Sequence, residues 1–293
     1  MIKKKLYNLL KKIGFSIENT AKRDKLLFNE LSKIYHGDNY RMLIRCFPLV
    51  KDISSSFPEL VIVDEGSGFI IEFDQFRLYI ETIEEIIILN EVFVRGDYQF
   101  YNPNVSVVID VGGNIGLSAI YFAKSDFIEK VFSFEPVIPT YLQARKNLEL
   151  NPQLINKIEF FNVGLSNKDE ECVFMFNPNV KGNTGVRGEK SKSFKLEKST
   201  GVKVQLKNAS ATISEIIKDY STKNLVLKMD CEGAEYKIIE NLDKSGILSK
   251  FSLIFIEYHD LGSVQLESIL KSNSFYYLNR RFNSSTGLIY AYK

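Results

Sequence analysis

The segment VVIDVGGNIGLSAIYFA, residues 107–123, constrains the fold of this chain more than any other. Val105, Val107, Val108 and Ile109 favour an extended strand, which ends at Asp110. Gly112, Gly113, Asn114 and Gly116 then form a turn, and Leu117, Ile120 and Phe122 follow with helical spacing. A strand, a glycine-rich turn and a helix start, in that order, make a loop that accepts an adenosine cofactor. Glycine lets the backbone approach a ligand where a Cβ would collide. The helix start offers unpaired N–H donors and the positive end of its dipole.

A glycine turn alone does not choose the cofactor. A second apolar strand, residues 130–134, ends in Glu135 and Pro136. Glu135 lies 25 positions after Asp110 (135 − 110) and 19 after Gly116 (135 − 116). That spacing puts a carboxylate at the tip of the neighbouring parallel strand, within reach of ribose hydroxyls. A pyrophosphate would be repelled by Asp110 at the mouth of the turn if that side chain points inward. S-adenosylmethionine carries a sulfonium and an amino group, so surrounding acids favour it over NAD.

The chain has 293 residues, 45% of them hydrophobic, enough for one large or two unequal domains with a proper core. Its 38 basic and 36 acidic side chains nearly cancel, so no global charge points to nucleic acid. Cys46, Cys172 and Cys231 are scattered, with no CxxC pair or Cys/His cluster. Neither structural zinc nor a disulfide framework is indicated, and a reducing cytoplasm is the expected compartment. No apolar run reaches transmembrane length. Near the start, Leu6, Leu9, Leu10 and Ile13 share one helical face among lysines. Such a helix can rest on a membrane surface, but packing on the domain is the preferred reading.

Residues 1 to about 55 read as mostly helical, and short strands are expected at 60–63, 68–73 and 77–82. Residues 83–95 read as one amphipathic helix closed by Gly96. From 105 onward strands and helices alternate, as a doubly wound α/β sheet requires. Strands are expected at 105–110, 130–135, 157–161, 224–230 and 251–258, with two more, 171–176 and 201–206, flanking a polar loop. Residues 275–282 and 287–293 read as a closing hairpin. A parallel sheet that ends in an antiparallel hairpin separates methyltransferases from ordinary dehydrogenases. Residues 1–80 are thus expected as a helical and β extension, and 81–293 as the main domain.

In open α/β sheets, ligands bind beyond the carboxyl ends of the strands. Asp110, Glu135, Asn162, Asp230, Glu232, Glu257 and His259 all fall at such ends. Asp230 terminates an apolar strand, which suits a cofactor- or substrate-facing role, whereas Glu235 can be a plain helix-dipole acid. His259 is one of only two histidines and is the expected general base for a hydroxyl, with Asp230 or Glu257 orienting it. Asp230, Glu257 and His259 form an alternative donor set for a divalent metal, but no metal is assigned. The loop at 177–200 reads as a lid or a mobile insertion, with Asn183, Thr184 and Arg187 as candidate acceptor contacts.

Six motifs together resemble the FkbM family of S-adenosylmethionine-dependent methyltransferases. They are EVFVRGDY (91–98), VIDVGGNIG (108–116), FEP (134–136), NVGLS (162–166), LKMDCEGAE (227–235) and IEYH (256–259). The resemblance implies a class I methyltransferase fold: a Rossmann-like, seven-stranded doubly wound sheet with an antiparallel C-terminal hairpin. It implies O-methylation of sugars, glycans or polyketide-like natural products. It also implies that Asp110, Gly112, Asn114 and Gly116 cradle the methionine part, that Glu135 holds the ribose and that Tyr98 covers the cofactor. The NVGLS turn would lie near the adenine. The cofactor set so expected also contains Gly113, Ser118, Pro136, Asn162, Val163, Gly164, Asp230 and Glu232. The chain departs from the family at Thr212-Ile213-Ser214, where Thr-Leu-Asp is frequent, and at Cys231, where a small aliphatic residue is usual. An NAD-dependent oxidoreductase or epimerase would need a Tyr-x-x-x-Lys relay, but Tyr141 is followed four residues on by Arg145. A non-catalytic S-adenosylmethionine-binding domain is the other alternative.

Overall fold

A computed structural model describes residues 20–182, 184–185 and 198–293. The expected helix around Leu6 to Ile13 lies outside the described residues, as do Asn183 and Arg187. The described N-terminal part begins with α1 (Thr20–Leu31), β1 (Tyr35–His36), α2 (Arg41–Arg45) and α3 (Phe47–Ser56). β2 (Val61–Glu65), β3 (Gly68–Phe73) and β4 (Phe76–Ile80) extend β1 into a four-stranded sheet of order β1-β2-β3-β4. β1 lies in a stretch expected to be helical. Tertiary pairing explains the difference: Tyr35 aligns with Ile62, and its hydroxyl donates to Asp64 Oδ1 at 2.6 Å.

The next helix, α4 (Ile83–Leu89), is capped by Thr82, whose Oγ1 accepts from the Glu85 amide at 3.2 Å. The helix expected over 83–95 is not uniform. It widens to a π turn at Asn90–Val94 before Gly96, at φ +65°, ends it. Such turns are frequent at functional sites, and this one carries Glu91 and Val92 on a cavity wall.

The main domain runs β5 (Ser106–Val111), α5 (Leu117–Ala123), β6 (Ile128–Phe134), α6 (Ile138–Glu149) and β7 (Ile158–Phe161). β8 (Gly164–Ser166), β9 (Glu170–Phe176) and β10 (Thr200–Asn208) form a separate small sheet of order β8-β10-β9. The chain then returns through α7 (Ala209–Ile217), β11 (Asn224–Met229), α8 (Glu235–Lys244), β12 (Phe251–Tyr258) and α9 (Val264–Ser272). β13 (Tyr276–Arg281) and β14 (Gly287–Tyr292) close it as an antiparallel hairpin. The seven-stranded sheet has the order β13-β14-β12-β11-β5-β6-β7, parallel except for the hairpin. This is the class I methyltransferase fold, with its small N-terminal sheet in addition.

Alternation along β5 builds two layers. Val107, Ile109 and Val111 pack with Leu227, Met229 and Ile256 on one face. Val108 packs on the other with Val226 and Phe255, and that layer continues through Ile115 and Ile120 to Leu78 and Ile80 of the N-terminal sheet. The hydrophobic core therefore crosses residue 80 without a break. Among the described residues no helix is long and apolar enough to cross a membrane.

Candidate functional site

The strand order reverses at β5, with β6 on one side and β11 on the other, and ligands bind at such switch points. A cavity of about 300 Å³ lies there. The turn after β5 forms part of its wall, with φ of +82° at Gly112, +47° at Asn114 and +85° at Gly116. A Cβ on Gly112 would sit 1.7 Å from the Asp230 carbonyl oxygen, and one on Gly113 would sit 2.2 Å from Ser133 Oγ. One on Gly116 would meet Phe160 and Ala144. These glycines let the turn pack against its own neighbours.

Asp110 is not where the sequence suggested. It is fully buried behind the turn and off the cavity wall. Its Oδ2 accepts from Ser118 Oγ at 2.9 Å and from Ser133 Oγ at 2.7 Å. Lys228 Nζ lies 3.1 Å from Oδ1 and donates to the Gly112 carbonyl at 2.7 Å. Burial opposes the charge on Lys228, but Asp110 and Asp230 outweigh it and raise its pKa. A carboxylate buried and paired in this way makes no direct contact with a ligand in the cavity. Asp110 instead braces the turn.

Glu135 does reach the wall. Its two oxygens accept from the Asn114 amide at 3.0 Å and the Val137 amide at 2.9 Å. Burial pushes its pKa up to about 7, although both amides pull it down. Nearby, Asn114 lines the cavity, and its buried Oδ1 has no hydrogen-bond partner among the described residues. A carboxylate beside an unpartnered acceptor suits a ligand rich in donors. The ribose hydroxyls and ammonium of S-adenosylmethionine are donors, whereas a pyrophosphate brings none. Tyr98, Gly112, Gly113, Ser118, Pro136 and Gly164 share this wall. Tyr98 is buried edge-on against Phe255, with ring centroids 5.8 Å apart. Gly116, Asn162 and Val163 are off the wall. Asn162 instead donates to the carbonyls of Glu135 and Pro136 at 3.0 and 3.1 Å, fixing the end of β6.

The ends of β11 and β12 bring Asp230, Glu232, Glu257 and His259 together on the same cavity. His259 Nε2 lies 4.0 Å from Asp230, 3.8 Å from Glu232 and 4.0 Å from Glu257. Its Nδ1 lies 3.2 Å from Glu235 Oε1. Glu235 is fully buried and also accepts from the amides of Cys231 and Gly233, both at 2.9 Å. Burial alone would lower the pKa of the imidazole. The bond to Glu235 and the charges of Glu232, Glu235 and Asp230 push it up to about 11 instead. Burial raises Glu232 and Glu257 to about 8, with Asp230 adding repulsion and His259 attraction. The carboxylates around it thus favour the protonated imidazole, whereas the sequence reading expected His259 as the general base. The reason is the number of carboxylates around one imidazole. Asp230, Glu232 and His259 also bring one ligand atom each within 4.8 Å of one another, so the trio with metal-binding geometry contains Glu232 in place of Glu257.

Sequence reasoning missed three residues that shape this site. Lys228 had a signal, since a lysine inside an apolar strand needs a buried partner. Glu235 passed as a dipole acid and instead fixes the imidazole. Lys181 carried no signal at all, because its partners Glu81 and Glu85 are about a hundred residues away in the chain.

Residues 110–277 match the family model described as Methyltransferase FkbM domain. Methyltransferase sdnD of Sordaria araneosa is 28% identical over 229 residues, which cover 70% of this chain and 88% of that protein. Methyltransferase 1 of Beauveria bassiana is 27% identical over 186 residues, which cover 58% of this chain and 73% of that protein. The crystal structure of methyltransferase FkbM from Methylobacillus flagellatus KT aligns with 92% of this chain at 15% identity and a TM-score of 0.46. The chain spans 59% of that structure.

Proposed function

Because this chain belongs to the FkbM methyltransferase family, with S-adenosylmethionine as methyl donor, we propose that its acceptor is a hydroxyl group of a sugar, glycan or natural product. When bound, the donor supplies an electrophilic methyl group on a sulfonium. In this reading Glu135 and Asn114, both on the cavity wall, would hold its hydroxyls and ammonium. The chain must then orient an oxygen and take up its proton.

The supporting observation is the cluster of Asp230, Glu257 and His259 on the same cavity as Glu135. A hydroxyl keeps its proton at neutral pH and needs a nearby acceptor for it. Glu257, raised by burial to about 8, is matched to that task, since its basic form appears near neutral pH. Asp230 and Glu257 take the proton-accepting role in this reading. His259 is the cation that holds their charges in place, itself aimed by Glu235. The proton leaves the hydroxyl for a carboxylate as the oxygen–carbon bond forms and the sulfur–carbon bond breaks.

The test is transfer of a labelled methyl group over a panel of hydroxylated glycans and natural products, with the new bond located by mass spectrometry. Label on oxygen is the expected result. Label found only on nitrogen or carbon would overturn the hydroxyl assignment. Binding of S-adenosylmethionine with no transfer to any acceptor would favour a non-catalytic domain.

A further inference from the structure

Lys181 is a buried amine that the transfer chemistry does not use. It sits just past β9 in a polar segment, yet it enters the protein between two carboxylates. Its Nζ lies 2.9 Å from Glu85 and also contacts Glu81 and the Gln143 side chain. Glu85 is fully buried and receives the Gln143 amide at 3.0 Å as well. The next residue is tied separately, with the Gly182 amide donating to Glu84 Oε2 at 3.0 Å. A Cβ on Gly182 would lie 3.4 Å from Asn114 Nδ2, and one on Gly185 would lie 2.4 Å from the Glu232 Cβ. Lys181, Gly182, Thr184 and Gly185 all line the cavity shared with Glu135. Among the described residues, Lys181 and Gly182 thus meet α4 and the turn after β5, and Gly185 meets the loop after β11. They touch both halves of the site, and one buried ion-pair knot fastens the near end.

We infer that Lys181 is a positioning residue that clasps this segment over the methyl donor, so that exchange of the donor for its product requires the clasp to open. Three features support a clasp over plain scaffolding. The knot joins a largely polar loop to a buried helix start through charged groups. The two glycines allow backbone approach to residues of the site itself. Glu84, one residue from the knot, lines the cavity and accepts from a backbone amide of the strap, so strap and wall are tied directly. Breaking a buried ion pair by removing one partner is costly, so opening is rare and slow while the knot is intact. The inference concerns the methyl donor alone, and its failure would leave the acceptor assignment untouched.

The experiment measures release of S-adenosylhomocysteine from the full chain by displacement in a stopped-flow instrument. Lys181→Met is expected to speed release by about tenfold or more, because changes at a binding surface act mainly on dissociation. Lys181→Arg, which keeps the charge, is expected to stay within about threefold of the parent rate. Glu84→Ala removes the acceptor of the Gly182 amide and should give a smaller change in the same direction. A folded Lys181→Met protein that releases the product at the parent rate overturns the inference. If Lys181→Met does not fold, hydrogen exchange of residues 177–182 in the parent protein decides. The product is expected to slow exchange there, and equal exchange with and without it overturns the inference.

Discussion

Asp110 and Asp230 stand at the ends of neighbouring parallel strands, β5 and β11, and the two acids have opposite fates. Asp110 is sealed in, with one lysine and two hydroxyls satisfying it. Asp230 stays a third exposed and joins Glu232 and Glu257 around a single imidazole at 3.8–4.0 Å. The first acid is compensated and the second set is not. Position at a strand end therefore does not by itself mark a residue as chemical. What separates architecture from chemistry here is whether the charge is already satisfied within the protein.

The contrast makes opposite predictions for two similar substitutions. Asp230→Asn should lower turnover by about 10²–10⁴-fold, with folding and donor affinity nearly unchanged. Steady-state kinetics beside a calorimetric titration of S-adenosylmethionine would check this. A variant with normal turnover would move the chemistry elsewhere. Asp110→Ala should act on the fold instead, because it leaves Lys228 charged and buried without its partner. A loss of about 3–5 kcal/mol is expected in urea unfolding. If Asp110→Ala is as stable as the parent, the brace reading fails and the contrast dissolves. Glu135 lies between these extremes, since two amides hold it and one side still faces the cavity. Glu135→Gln should weaken donor binding by about 1–2 kcal/mol, read as roughly a tenfold rise in Kd.

The sheet was legible because its signals are local. Each strand of the seven announces itself by β-formers ending in a polar residue, and the hairpin by its NSST turn. The sequence also located which strand ends would gather, since topology brings β5, β6, β11 and β12 to one edge. It could not tell which acids would be neutralised. Lys228 pairs with Asp110 across 118 positions (228 − 110), and Lys181 reaches Glu85 across 96 (181 − 85). Pairings that distant depend on packing, which spacing does not encode. The same limit explains the role given to His259. A lone histidine at a strand end reads as a base near its ordinary pKa, and only the fold reveals four carboxylates around it.

That crowding fixes the sign of a pH experiment. Glu232 and Glu257 both stand at about 8, so the basic form of Glu257, one of the two proposed acceptors, grows as pH rises through that value. Turnover should climb between about pH 7 and pH 9 and then level. A histidine base at its ordinary pKa would place the climb near 6.5 instead. Removing the imidazolium sharpens the distinction, because its charge favours the carboxylates beside it. In His259→Ala that support is gone, so both carboxyl groups hold their protons to higher pH. The rising limb should move about one pH unit to the alkaline side while turnover persists at its top. Were His259 the base, the same variant would lose the limb altogether rather than displace it. A pH profile of the variant therefore distinguishes a cation that holds the acids from a base that takes the proton.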